Sequence, residues 1–170
     1  MKKCNESYAS AMTSQGKIGF SLLFGFGLLL ALPAYAQDEE VPYWASITAE
    51  VVNMRVGPST TYRIDWVYRR KDLPLKVLRR KEGWRLVEDP DGAKGWMLGR
   101  FLSRKRTAYV AGEGHAEMRD QSGREGRLMW KLEPGVTVIL DECEGNWCEV
   151  EVGGRKGYVA QARLWGAGAP

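Results

Sequence analysis

Few residues in this sequence are of types that perform nucleophilic or metal chemistry. His115 is the single histidine, and Cys4, Cys143 and Cys148 are the only cysteines. A Cys–His nucleophile needs a reduced thiolate beside an imidazole. A zinc site built on His115, Cys143 and Cys148 lacks a fourth protein ligand and would be open. Carboxylates are more numerous, among them Glu88, Asp89, Asp91, Asp141, Glu142 and Glu144, but they fall at predicted turns and strand ends. Paired acid/base catalysis requires one carboxylate withdrawn from water in a cleft, whereas turn carboxylates are normally solvated. The expectation is therefore no enzyme, no metal and no cofactor.

The aromatic residues offer different chemistry. Of the seven tryptophans, Trp84, Trp96 and Trp147 begin or close predicted strands and read as core residues. Tyr62, Trp66 and Tyr68 lie in and just after the loop "PSTTYRIDW", beside Arg63, Arg69 and Arg70. Rings next to guanidinium groups can stack on apolar or sugar faces while pairing with carboxylates. Trp130 stands at or near the place of Tyr68 in a later, similar stretch, with Arg124, Arg127 and Lys131 around it. Tyr62, Trp66, Tyr68, Arg69 and Trp130 are thus the candidate ligand-binding residues. Packing of Trp66 and Tyr68 into a strand wall is the competing reading.

The elements that must position these residues are repeated. "ITAEVVNMRVGPS…LPLKVLRRKEGWRLVEDPDGAKGWMLGRFLS" parallels "GHAEMRDQSG…EPGVTVILDECEGNWCEVEVGGRKGYVAQARLWG". Each carries in order a Met-Arg strand, a Gly/Ser loop, a Pro-led strand, a Trp-led strand and a Gly-aromatic strand, which marks a duplication. Met54 matches Met118, Pro74 matches Pro134, Trp84 matches Trp147, and Gly95 matches Gly157. Apolar alternation marks short strands: Val136, Val138 and Leu140 share one face, and Cys148, Val150 and Val152 another. Met54 and Val56 are expected to face inward together. Turn signals separate these strands, including "DPDG" and "CEGN". The predicted class is all-β, two tandem small, five-stranded, partly open barrels. The tails "GRFLS" and "ARLWG" suit brief helical turns. The expected limits are a first domain at 45–104, a linker at 105–107 and a second, divergent domain at 108–166.

Units this small are marginal alone. Packing of one barrel on the other is one reinforcement, and a Cys143–Cys148 bridge is the second. The bridge is favoured by the even cysteine count that remains once residues 1–36 are set aside. Those residues read as a secretory signal: a charged start, the run "FSLLFGFGLLLAL" and a small-x-small end at Ala34-Tyr35-Ala36. Cleavage after Ala36 gives an exported chain, soluble in the periplasm or outside the cell; an uncleaved anchor is the alternative, and Met12 is an alternative start. Cleavage leaves 22 basic against 20 acidic residues in place of 25 against 21. A charge near +2 does not argue for nucleic acid.

The ordered set "NMRVGPSTTY", "LPLKVL", "GWRLVEDPDGAKGW" and "FLS" resembles the bacterial SH3 domain. The second copy is similar but departs from the pattern, with "RDQSG" for the GPS segment and Tyr158 for the closing tryptophan. Its "CEGNWCEV" resembles the cysteine-flanked tryptophan strand of some members. The resemblance implies SH3-like barrels and a non-catalytic envelope protein whose partner is a cell-wall peptide or glycan, or an envelope protein. A structural adaptor is the alternative reading, and a small wall hydrolase the more distant one. The resemblance also implies that the loop after Gly57-Pro58 walls a ligand groove.

Overall fold

The computed structural model describes residues 40–170, which fall within one compact unit. The signal reading of residues 1–36 lies outside the described residues. Among those described, no helix is long and apolar enough to cross a membrane. They form fourteen strands and two 3-10 turns, with no α-helix.

The first seven strands are β1 (Tyr43–Ile47), β2 (Val52–Arg55), β3 (Ile64–Tyr68), β4 (Pro74–Lys81), β5 (Trp84–Glu88), β6 (Lys94–Leu98) and β7 (Leu102–Ser103). The second seven are β8 (Thr107–Val110), β9 (Ala116–Arg119), β10 (Leu128–Leu132), β11 (Thr137–Glu144), β12 (Trp147–Val152), β13 (Arg155–Ala160) and β14 (Leu164–Trp165). The first sheet runs β3-β2-β6-β5-β4-β1-β7 and the second β10-β9-β13-β12-β11-β8-β14, the same order position for position. The described residues are thus all-β with two tandem copies of one topology. Each copy exceeds the expected five strands because the entering strand pairs with β4 or β11, and the exit residues then pair with the entering strand. Thr107, expected in the linker, already belongs to β8. The brief turns at the tails are Gly99–Phe101 and Gln161–Arg163.

Alternation places one face of each strand in a core. Val52 and Met54 are buried while Asn53 between them is exposed; Val138 and Leu140 are buried and Ile139 is not. Each copy has its own cluster, one around Met54, Leu75, Val87 and Met97, the other around Met118, Val138, Val150 and Val159. Trp84 is buried at the start of β5, whereas Trp96 and Trp147 are only half-buried. Val56 does not follow Met54 inward and is 47% exposed. β2 ends at Arg55, and the chain swings out at Gly57, where the Tyr62 ring lies so close that a Cβ would come within 2.6 Å of it.

The strand register also corrects one pairing between copies and fixes another. Leu75 pairs with Ala45 as Val138 does with Ala108, so Pro74 corresponds to Thr137, three residues beyond Pro134. Trp66 lies opposite Met54, and Trp130 lies opposite Met118, so Trp130 is the counterpart of Trp66 and Leu132 that of Tyr68. Cys143 and Cys148 face each other across the β11–β12 hairpin and form a disulfide.

The copies pack together through Trp44 and Trp165, whose rings meet edge to face at 4.8 Å. The Trp44 Nε1–H donates to the Gly168 carbonyl at 2.7 Å. Gly166 fits against Pro74, and its carbonyl accepts from Arg106 at 2.9 Å. Oriented aromatic pairs of this kind contribute on the order of 1 kcal/mol beyond the area they bury.

Candidate functional site

β3 is an edge strand, and four of its five residues are exposed. Trp66 is 56% exposed and stands at the mouth of a cleft of about 300 Å³. β3 and the turn after it supply Trp66, Tyr68, Arg69 and Arg70; the β5–β6 turn supplies Asp89 and Asp91. Leu73, Pro90 and Ala93 add apolar surface, and Tyr109 of the second copy completes the lining. Three of the five candidate residues, Trp66, Tyr68 and Arg69, therefore meet at one cleft.

Asp89 opens the turn "DPDG", where a solvated carboxylate is expected, yet it is only 6% exposed. The turn folds its own N–H groups back on the side chain: Oδ1 accepts from the backbone of Asp91 at 3.0 Å and of Ala93 at 2.8 Å. Oδ2 accepts from the Tyr68 hydroxyl at 2.6 Å. Such bonds compensate the desolvation of a buried carboxylate. Burial first, then the bond to Asp89 and the charges of Asp89, Asp91 and Asp65, hold the Tyr68 phenol well above its ordinary value of 10.0. Tyr68 is therefore a fixed donor, and its ring is a fixed wall of the cleft.

The other two candidates lie elsewhere. Tyr62 covers Gly57, and its carbonyl accepts from Arg55 at 2.6 Å, which shapes the loop. Trp130 sits on the edge strand of the second sheet, 45% exposed, with the Arg155 guanidinium 4.3 Å from its ring centre. The second copy has Leu132 where the first has Tyr68, and the register places Val152 at the position of Asp89. The hydroxyl–carboxylate pair is thus confined to the first copy.

A different groove recurs in both copies and was not singled out from the sequence. In the first it is lined by Arg55, Thr60, Trp84 and Phe101, and in the second by Arg119, Arg124, Trp147 and Arg163. Repetition of the Met-Arg and Trp-led strands was the signal available for it. In the second copy Arg163 is committed to structure, donating to the carbonyls of Ala111, Glu113, Gly114 and His115. His115 is exposed just before β9. The disulfide removes Cys143 and Cys148 from both the nucleophile and the zinc readings. Among the described residues, no three His, Cys, Asp or Glu side chains are grouped to hold a metal.

The model of the bacterial SH3 domain matches residues 48–103 and 112–166. No curated protein matches the chain. Among solved structures, NlpC2 from Trichomonas vaginalis is similar at 13% identity and a TM-score of 0.34, over 74% of this chain and 48% of that one. NlpC1 from the same organism shows 13% and 0.34, over 76% and 47%. An NlpC/P60 family protein from Bacillus cereus shows 11% and 0.32, over 72% and 55%. The chain spans about half the length of the solved structures it matches.

Proposed function

The chain belongs to the bacterial SH3 domain family, and on that premise we propose that it is an exported, non-catalytic binding protein of the bacterial cell envelope. It takes a wall-derived or protein ligand at the cleft beside β3. The observation that carries this reading is the juxtaposition of an exposed Trp66, a fixed Tyr68 and the exposed guanidinium of Arg69 at one concave surface. Aromatic rings supply contact area at small entropic cost, and a guanidinium pairs with carboxylates. Groove-binding modules work through such shallow surfaces.

The test is retention of residues 37–170 on purified, protein-free sacculi, beside a Trp66→Ala/Arg69→Ala variant with unchanged thermal unfolding. Retention of the parent and its loss in the variant is the expected result. Equal retention of both overturns the assignment to this cleft. Failure of the parent to bind overturns the wall ligand and favours a structural adaptor. The exposed tryptophans at matching edge positions, Trp66 and Trp130, suit that second reading, and crosslinking in envelope extracts then identifies the partner.

A further inference from the structure

We propose that the chain associates with a second copy of itself through unlike hairpins, the basic β4–β5 hairpin of one molecule meeting the acidic β11–β12 hairpin of the other. None of the residues that make this contact lines the cleft beside β3, so self-association and ligand binding are separate properties.

The near balance of charge in the whole chain conceals opposite balances in its two copies. Residues 45–104 hold 13 basic and 7 acidic side chains, whereas residues 108–166 hold 7 and 10, so the duplicated unit has reversed sign. The reversal concentrates at one equivalent place. The two hairpins share a two-residue turn, with Lys81 opposite Trp84 in the first and Glu144 opposite Trp147 in the second. Arg79, Arg80, Lys81 and Arg85 flank the first turn; Asp141, Glu142, Glu144 and Glu149 flank the second. Some of these charges serve the fold. Arg85 donates to the Tyr43 hydroxyl at 3.2 Å and to the Glu82 and Trp84 carbonyls, while Asp141 and Glu149 pair with Lys156 at 3.7 and 3.5 Å. Arg79, Lys81, Glu142 and Glu144 do not. All four are exposed, and among the described residues none of the four side chains has an ion-pair or hydrogen-bond partner.

The four match each other in place as well as in sign. Lys81 and Glu144 stand directly beside the turn, and Arg79 and Glu142 stand two residues before them. Two such hairpins laid antiparallel set Arg79 against Glu144 and Lys81 against Glu142. Complementary charges of this kind guide encounter and fix register. They also select the partner. A polyanion would match the basic hairpin and be repelled by the acidic one, whereas a second copy of the chain satisfies both. Each hairpin is shaped beforehand, the first by the Arg85 bonds and the second by the Cys143–Cys148 disulfide, so contact requires little further ordering. Exposed ion pairs are individually weak and screened by salt, which makes the association reversible and salt-dependent.

The experiment is sedimentation velocity of residues 37–170 over a concentration series at about 0.01 M and about 1 M salt, between which the screening length falls from about 30 to about 3 Å. We expect a sedimentation coefficient that rises with concentration at low salt and stays at the monomer value at high salt. Arg79→Glu/Lys81→Glu and Glu142→Lys/Glu144→Lys each remain monomeric alone, and their equimolar mixture regains the low-salt association. Lys71→Glu/Lys94→Glu, an equal change of charge outside the hairpins, associates as the parent does. A parent that is monomeric at every concentration overturns the proposal. If that parent also sediments with phosphatidylglycerol vesicles and Arg79→Glu/Lys81→Glu does not, the basic hairpin belongs to an anionic surface instead. Parent-like association of either reversed variant, or a mixture that fails to associate, overturns the pairing of unlike hairpins. Should a reversed variant unfold, Arg79→Gln/Lys81→Gln and Glu142→Gln/Glu144→Gln take its place, each expected to remove the concentration dependence. Neither outcome depends on retention by sacculi.

Discussion

Trp66 and Tyr68 are two residues apart, but their contributions separate. Trp66 is largely exposed, so Trp66→Ala leaves stability within about 0.5 kcal/mol while reducing ligand retention; urea midpoints beside sacculus binding check this. Tyr68 is tied to the fold. Its phenol is raised above 10.0 by burial and by the Asp89 bond. The unfolded chain therefore ionises this group first, and the stabilisation it provides is complete below about pH 10 and lost as pH rises above it. Urea midpoints measured from about pH 9 to 11 fall in the parent, and Tyr68→Phe flattens the fall. The aromatic cluster was legible in the sequence because Trp66, Tyr68 and Arg69 are neighbours in the chain. The partner carboxylate was not, since a turn aspartate is ordinarily solvated, and only the fold-back of the Asp91 and Ala93 N–H groups lets Asp89 be buried.

Among the elements, the close approaches are as informative as the strands. A Cβ on Gly95 would lie 2.6 Å from the Met54 side chain and 2.9 Å from the Arg55 carbonyl; on Gly157, 2.8 Å from Met118 and 2.7 Å from the Arg119 carbonyl. Gly95→Ala and Gly157→Ala should each cost about 1–3 kcal/mol, read from denaturant midpoints. Reduction of the Cys143–Cys148 bridge, which closes a tight hairpin, should lower stability by on the order of 2 kcal/mol in the chain-entropy model, seen as a drop in Tm. Duplication and strand order were legible because glycine, proline and tryptophan punctuate both copies at similar spacing. Alignment was less legible where spacing shifts. Register irregularities at Met54/Arg55 and at Leu128/Trp130 insert a residue into each edge strand, and neither leaves a signature in apolar alternation. Pro74 and Pro134 share a residue type, but strand register makes Thr137 the equivalent of Pro74.

At the scale of the whole molecule, two independent cores are joined by a small, specific contact. Trp44 is buried between the copies and bonded to Gly168. Trp44→Ala should cost about 3–5 kcal/mol and split one calorimetric transition into two, as coupling between the barrels is lost. Tyr109 could not be assigned to the cleft from sequence, because the other residues that line the cleft lie in the other copy and no local pattern reports it. The Trp44–Gly168 bond has a further consequence. Its partners are 124 residues apart, and chains emerge amino end first. The buried residues of the first barrel's core are all synthesised well before the glycine that closes its interface. Trp44 therefore gains its edge-to-face ring partner and its carbonyl acceptor only from the last residues of the chain, Trp165 and Gly168.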